Sequence, residues 1–377
     1  VKQGERRFSD KVLVLHNGTT ADFTDFGELS LAATEAAAGT GAVTWVTQTS
    51  NFGANESILS VAYGNNLWVA GGTNVELHTS TDAITWTTRT SNFTDTITSV
   101  AYGNNLWVAV GTNAELRTST DAITWTTRTS NFGAANSILS VAFGNNLWVA
   151  GGAYGELRTS TDAVTWTTRT SNFGAYDYVN SVAYGNNLWV IGGSYGEPRT
   201  STDGITWVTR TSNFGGYNIY SVAYGDNLWV IGGTLGNLNT STDGTTWTSQ
   251  TSNFDSTRIL SVAYGNNLWV AGGRDGQIRS STDAVTWVTR NSNFGAYDYV
   301  NSVAYGNSLW VAAGDYANIR TSAAETGAFY VGGGSVSASV SFATDISGSD
   351  VRLRMTIPDA GSTSAIVKVL TTKVGES

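Results

Sequence analysis

The 377-residue chain has no cysteine, one methionine, two histidines and two prolines. The lack of cysteine excludes a disulfide framework, a thiolate metal site and a thiol nucleophile, and allows folding in a reducing cytosol as well as export. Two histidines, His16 and His78, cannot build a His-based triad or zinc site. Basic residues are also few, 20 Lys and Arg against 29 Asp and Glu. The resulting net charge of −9 argues against a nucleic-acid partner, which needs a basic surface. No run of 18 apolar residues occurs, so no membrane insertion is expected. The opening VKQGERRFSDK has neither an initiator Met nor an apolar signal core, and Val1 reads as a processed end or the edge of a longer chain. With 43 Gly and only 13% charged residues, strands and turns should dominate and helices be scarce.

What the chain has in abundance is repetition. The phrase from Ser181 to Trp207, SVAYGNNLWVIGGSYGEPRTSTDGITW, has close copies beginning at Ser60, Ser99, Ser140, Ser221, Ser261 and Ser302. Each copy carries a Trp in an (N/S)LW triplet: Trp68, Trp107, Trp148, Trp189, Trp229, Trp269 and Trp310. A second Trp follows in a TW dipeptide at Trp86, Trp125, Trp166, Trp207, Trp247 and Trp287, but the seventh copy lacks it. The missing dipeptide stands before the first repeat, as Thr44-Trp45. A closed ring whose last unit borrows its final strand from the N-terminus predicts this arrangement, and a linear stack does not.

Inside one copy, Ser-Val-Ala-Tyr is extended, Gly-Asn-Asn makes a tight turn and Leu-Trp-Val resumes a strand. Gly-Gly and a few variable residues lead to a third strand, and Ser-Thr-Asp turns the chain into a fourth. Four short antiparallel strands at a period near forty residues make a propeller blade, so the sequence predicts an all-β, seven-bladed β-propeller. The propeller should span residues 42–325. Residues 1–41 and 326–377 carry strand patterns without a repeat partner, among them Lys11–His16, Asp350–Ile357 and Ala365–Val374. Pro358-Asp359-Ala360-Gly361 is a turn between the last two. Together the flanks are expected to form a small β-sandwich into which the propeller is inserted.

Two resemblances rest on these residues. The hairpin Ser80–Trp86 (STDAITW) and its five equivalents resemble the Asp-box of sialidase-like propellers, with one residue fewer between Asp and Trp. The whole repeat, with its YGNNLWVAGG and TSTDGxTW phrases, looks like propellers in bacteriophage tail-fibre and other virion appendage proteins. The flanks LVLHNGTTADFTDFGEL and SGSDVRLRMTIPDAGSTSAIVKVLTTKV look like a β-sandwich of phage structural proteins. This resemblance implies a virion location, a host-surface ligand, contact with other virion structural proteins and a homotrimer. A secreted adhesin or lectin at a cell surface is the alternative.

Six equivalent Asp-box carboxylates around a ring cannot converge on one substrate, so Asp82 and its counterparts are expected to fix turns. Arg89, Arg128, Arg169, Arg210 and Arg290 recur at one fourth-strand position and read as a solvated ring of charge. Variation is confined elsewhere. From each (N/S)LW Trp to the next TW Trp the spacing is always 18, whereas from TW to (N/S)LW it drifts between 21 and 23. Length and sequence therefore vary in the connection between blades and in the one after Gly-Gly, and a four-stranded blade sends both to the same face. That face offers Tyr154, Tyr176, Asp177 and Tyr178, then Tyr195, Tyr217, Asn218 and Tyr220. Arg258, Arg274 and Asp275 follow in the sixth blade, and Tyr297, Asp298, Tyr299, Asp315 and Tyr316 in the seventh. Tyrosine among Asn, Asp and Gly is the chemistry of paratopes, and random drift should yield mixed polar residues instead. Flat phenol faces beside Asp and Asn acceptors suit sugar rings.

Catalysis is not expected. The sialidase resemblance implies an arginine cluster, a Tyr–Glu pair and an acidic Asp near the ring axis, and the innermost SVAYG strands carry no Arg. Asp177 and Asp298 stand three blades apart, too far for a glycosidase carboxylate pair. The reading is a non-enzymatic protein without cofactor or metal that holds a host-surface glycan or protein on its Tyr-rich face. A structural or protein-docking virion component is the alternative.

Overall fold

In the computed structural model, residues 45–322 are described throughout, with four strands in the flanks. Contacts divide the chain into two units, Gly41–Ala324, and Val1–Thr40 together with Glu325–Ser377. In the latter, Lys11–His16 pairs antiparallel with Ser364–Val369, and Ala21–Asp22 with Arg354–Met355. N- and C-terminal flanks thus supply partner strands to each other. The expected β-sandwich lies outside the described residues.

The other unit is a seven-bladed propeller of four-stranded antiparallel sheets. The first strands are Ile58–Gly64, Ile97–Gly103, Ile138–Gly144, Val179–Gly185, Ile219–Gly225, Ile259–Gly265 and Val300–Gly306, and they head blades one to seven. Six blades run consecutively along the chain. The seventh takes its outer strand from Trp45–Thr49, which pairs antiparallel with Asn318–Ser322. The displaced TW dipeptide marked this closure in the sequence.

Each first strand packs against the first strands of both neighbours, and the SVAYG phrase supplies two devices for it. The Val N–H of one blade donates to the Ser hydroxyl of the blade before: Val100 to Ser60 at 3.0 Å, Val141 to Ser99 at 3.3 Å, and so on to Val303 and Ser261 at 3.0 Å. Val61 donates to Ser302 at 3.0 Å and completes the circle. An edge donor that an open sheet would leave unpaired is therefore satisfied in every blade. The second device is the Gly. A Cβ on Gly64 would lie 2.3 Å from the ring of Tyr102, and one on Gly306 equally close to Tyr63. Each Gly leaves room for the aromatic ring of the next blade.

Among the described residues, the apolar core of the propeller consists of seven clusters at the blade interfaces. In one of them, Trp68, Trp86, Val61 and Ile58 of the first blade meet Val311, Ala313 and Ile319 of the seventh. The Trp side chains fill the space between blades, as the repeat predicts. Tyr63 lies 4.9 Å from Trp68, and a similarly tilted pair recurs in every blade, with Phe143 in place of Tyr in the third.

Candidate ligand-binding face

The two variable connections lie together and are bonded into a closed belt. The turn after each Gly-Gly, or after Val110-Gly111 and Ala313-Gly314 in the second and seventh blades, is bound to the loop entering its own blade: Ser194 N–H donates to Tyr178 O at 3.1 Å, Thr234 to Asn218 at 3.0 Å, and Asp315 to Tyr299 at 3.1 Å. It is bound on its other side to the loop leaving that blade. Gly155 N–H donates to Asp177 O at 2.7 Å, Gly276 to Asp298 at 2.6 Å, and Ala317 to Glu56 at 2.6 Å. Where no such backbone bond occurs, a Ser hydroxyl makes the link, as from Ser91 to Val75 O at 2.9 Å. Seven turns and seven loops therefore brace one another, which limits the ordering cost of binding on this face.

The anchor beneath each loop was not anticipated from the sequence. Arg117, Arg158, Arg199, Arg279 and Arg320 of the third strands are buried. Arg117 Nη2 donates to Asn92 O at 2.6 Å and to Glu115 Oε1 at 2.8 Å, and its guanidinium lies 4.7 Å over the ring of Phe93. Asn92 in turn donates from Nδ2 to Trp125 O at 3.0 Å. The Ser-Asn-Phe phrase before each blade is thus clamped from below. The sequence shows only that Arg recurs at one third-strand position, in ELRTS, EPRTS, IRSS and IRTS, and nothing in that recurrence announces its burial. His78 takes this place in the first blade, stacked 4.0 Å from Phe52 and 2.7 Å from Glu76, and Asn239 takes it in the fifth.

On this base stand exposed aromatics. Tyr176 and Tyr297 are 86% and 85% solvent-accessible, and Tyr154, Tyr178, Tyr195, Tyr217 and Tyr316 are also exposed. Leu235 and Val75, which sequence reading passed over, are exposed at the same turns. The turns after Gly-Gly put both central residues in the left-handed region, which suits Asn-Gly. Three of the seven turns have Asn74, Asn113 or Asp275 as the first central residue, and the other four have Tyr154 (φ 57°), Tyr195 (φ 60°), Leu235 (φ 58°) and Tyr316 (φ 56°). A bulky side chain costs about 1–2 kcal/mol in that conformation. The opposite hairpins use Asn65-Asn66 and Asn104-Asn105, which tolerate the same angles. Placing Tyr where Asn would be relaxed argues against drift.

The remaining predicted residues serve partly as supports. Asp177 Oδ2 accepts the Gly174 N–H at 2.7 Å, and Asp298 Oδ2 accepts both the Gly295 N–H and the Asn318 side chain at 2.8 Å. Tyr220 and Tyr299 are half-buried, beneath Arg258 and Arg274 at 5.7 and 5.6 Å. Arg274 also pairs with Asp275 at 3.5 Å. Asn218 presents its carbonyl to the belt.

On the other face, Ser80 Oγ accepts the Ala83 N–H, and Asp82 Oδ1 accepts those of Ile84 and Thr85, all at 2.8 Å. Trp86 Nε1 donates to Ala83 O at 3.1 Å. The N–H groups of Thr124, Thr165 and Thr206, seconded by those of Ile123, Val164 and Ile205, hold the carboxyls of Asp121, Asp162 and Asp203 down at about 2. These carboxylates close turns. The fourth-strand Arg ring is not simply solvated: Arg89 Nε donates to Thr79 at 2.8 Å, Arg128 to Thr118 at 2.9 Å, and Arg290 to Ser280 at 2.6 Å, all half-buried. Among the described residues, no group of three or more His, Cys, Asp or Glu is placed to hold a metal ion.

This architecture defines a β-propeller with one braced, aromatic face. No family model and no curated protein matches the chain. Solved structures with the same fold include YCF48 from Cyanidioschyzon merolae, 16% identical over 75% of this chain and 99% of its own, with a TM-score of 0.60. YCF48 bound to D1 peptide gives 15% identity, 76% and 99% coverage, and a TM-score of 0.60. A computationally designed protein gives 15%, 74% and 99%, with a TM-score of 0.53. At such identities the likeness is one of fold.

Proposed function

We propose that the chain is a non-enzymatic recognition propeller of a virion appendage, of the tail-fibre kind, which holds a host-surface glycan on its Tyr-bearing face. The observation that carries this reading is the placing of exposed Tyr154, Tyr195 and Tyr316 at left-handed turn positions, on a face whose loops are already bonded to one another. Rigid aromatics with phenol hydroxyls give large contact area at small entropic cost. The test is binding of the purified chain to a panel of bacterial surface polysaccharides. Tyr176→Ala, Tyr195→Ala and Tyr217→Ala should each weaken binding tenfold or more while leaving the fold intact. Unchanged binding in all three would remove this face from consideration.

Protein docking is the second reading, favoured by one of the fold neighbours, YCF48, having been solved with a peptide bound. A tag in the Gly174–Asn180 loop, imaged on intact particles or cells, separates the two. A label on the outermost surface supports receptor binding, and a label covered by a neighbouring chain supports docking.

A further inference from the structure

The inter-blade loops differ from one another with one exception. From Ser171 to Asn186 the sequence is the same as from Ser292 to Asn307, three blades further on. The two segments share their geometry as well as their letters. Asp177 and Asp298 accept the Gly174 and Gly295 N–H groups at 2.7 and 2.8 Å, and return an N–H to those glycines' carbonyls at 3.0 and 3.1 Å. Asn180 and Asn301 each donate from Nδ2 to the first strand of the next blade, at Ile219 O and Ile58 O. Tyr176 and Tyr297 emerge to the same extent, 86% and 85%.

We infer that the face carries two copies of one saccharide subsite, one centred on Tyr176 and one on Tyr297, so that a chain binds two units of a repeating surface polysaccharide. This rests on the glycan reading above. Seven blades place the two loops nearly opposite each other across the axis, which suits two units of a polymer or of a dense glycan layer. The main-chain N–H groups of Gly174, Asp177, Tyr178 and their counterparts are already bonded. An added peptide strand would therefore find no row of donors here. What remains available is the phenol faces and hydroxyls, which suit a sugar ring lying flat with its hydroxyls at the edge. The subsites differ in their walls, and on the side of the blade each loop enters, Tyr178 N–H meets the Ser194 hydroxyl whereas Tyr299 N–H meets the Asp315 carboxylate. Beside Tyr176 the neighbouring turn presents Tyr154, whereas beside Tyr297 it presents the Arg274–Asp275 ion pair. The two copies should therefore bind the same unit with unequal affinity.

The test uses the full chain with oligosaccharides of one repeat unit, and the parent polymers, from a panel of bacterial surface polysaccharides. Native mass spectrometry and calorimetry read the stoichiometry. The expected result is two oligosaccharides per chain, one in Tyr176→Ala, one in Tyr297→Ala and none in the double variant. The parent polymer should bind the unaltered chain roughly tenfold or more tighter than either single variant, because the second contact becomes intramolecular. A single oligosaccharide per chain, or loss of all binding in one single variant, overturns the duplicated subsite and leaves the glycan reading standing. Binding of no saccharide by the unaltered chain overturns both. Both tyrosines are exposed, and circular dichroism of each variant checks the fold.

Discussion

Tyr195 is a residue whose backbone argues against its side chain. Its φ of 60° is relaxed for Asn or Gly and strained for an aromatic residue. Tyr195→Asn should therefore raise unfolding free energy by about 1 kcal/mol, read by urea denaturation, while weakening ligand binding. No gain in stability would mean that the turn is not strained and that the aromatic carries no cost. The Asp of each Ser-Thr-Asp turn is the reverse case, a side chain well satisfied by its backbone. Its carboxyl is depressed, to about 2 in Asp121, Asp162 and Asp203, chiefly by the Thr N–H three residues on. Lowered in the folded state, these groups contribute stability that is complete above the unfolded carboxyl range near 4. That stability is lost as pH falls through the folded values near 2. Denaturation measured between pH 5 and 2 should show stability falling with acid, and Asp162→Asn should make that slope shallower. A variant as acid-sensitive as the parent would deny the turn carboxylate this role.

At the scale of the blade, the first one differs in its anchor. His78 is buried where five other blades have Arg, and burial lowers its pKa despite the opposing pull of Glu76. Below about pH 6.5 the unfolded chain gains a proton that folded His78 resists, so stability falls as pH drops from there. His78→Arg should remove that slope, leaving unfolding free energies at pH 5 and pH 7.5 closer together than in the parent, and should give Glu76 a permanent partner. If the slope persists, its source is elsewhere. The blade also shows how far the sequence could be read. The four strands, the Trp interfaces and the borrowed Trp45 strand were legible because each is a repeated letter at a fixed spacing. The variable face was legible as the place where spacing drifts. The buried arginines were not, because Arg117 in ELRTS looks like any polar residue in an alternating strand. Its burial depends on Asn92 and Phe93, which approach it only through the third dimension. Likewise, nothing in Ala-Tyr-Gly or Ser-Tyr-Gly announces a positive φ at the Tyr.

Over the whole propeller, stability rests on seven similar interfaces arranged in a circle, so the closing blade should matter as much as any other. Trp45, at 1% exposure, packs with Val270, Ile278, Val300, Val303, Trp310 and Ala312. Trp125, at 3%, sits in the corresponding cluster with Val69, Leu77, Ile97, Val100, Trp107 and Ala109. One is joined to its blade through the continuous chain, and the other arrives from the far end of the sequence. Truncation to Ala of either should cost about 3–5 kcal/mol. One local difference refines the comparison: Trp125 Nε1 donates to Ala122 O at 3.1 Å, while Trp45 Nε1 has no acceptor among the described residues. Trp45→Ala should therefore be the milder of the two by about 1 kcal/mol. Because each blade is braced on both sides, by the Ser–Val ring within and the loop belt above, both variants should unfold in one cooperative step. Denaturant unfolding followed by tryptophan fluorescence and circular dichroism reads both quantities. If Trp45→Ala costs well under 2 kcal/mol, or melts in two steps while Trp125→Ala melts in one, the seam is a weak point and the molecule behaves as an open stack with a loosely fastened end.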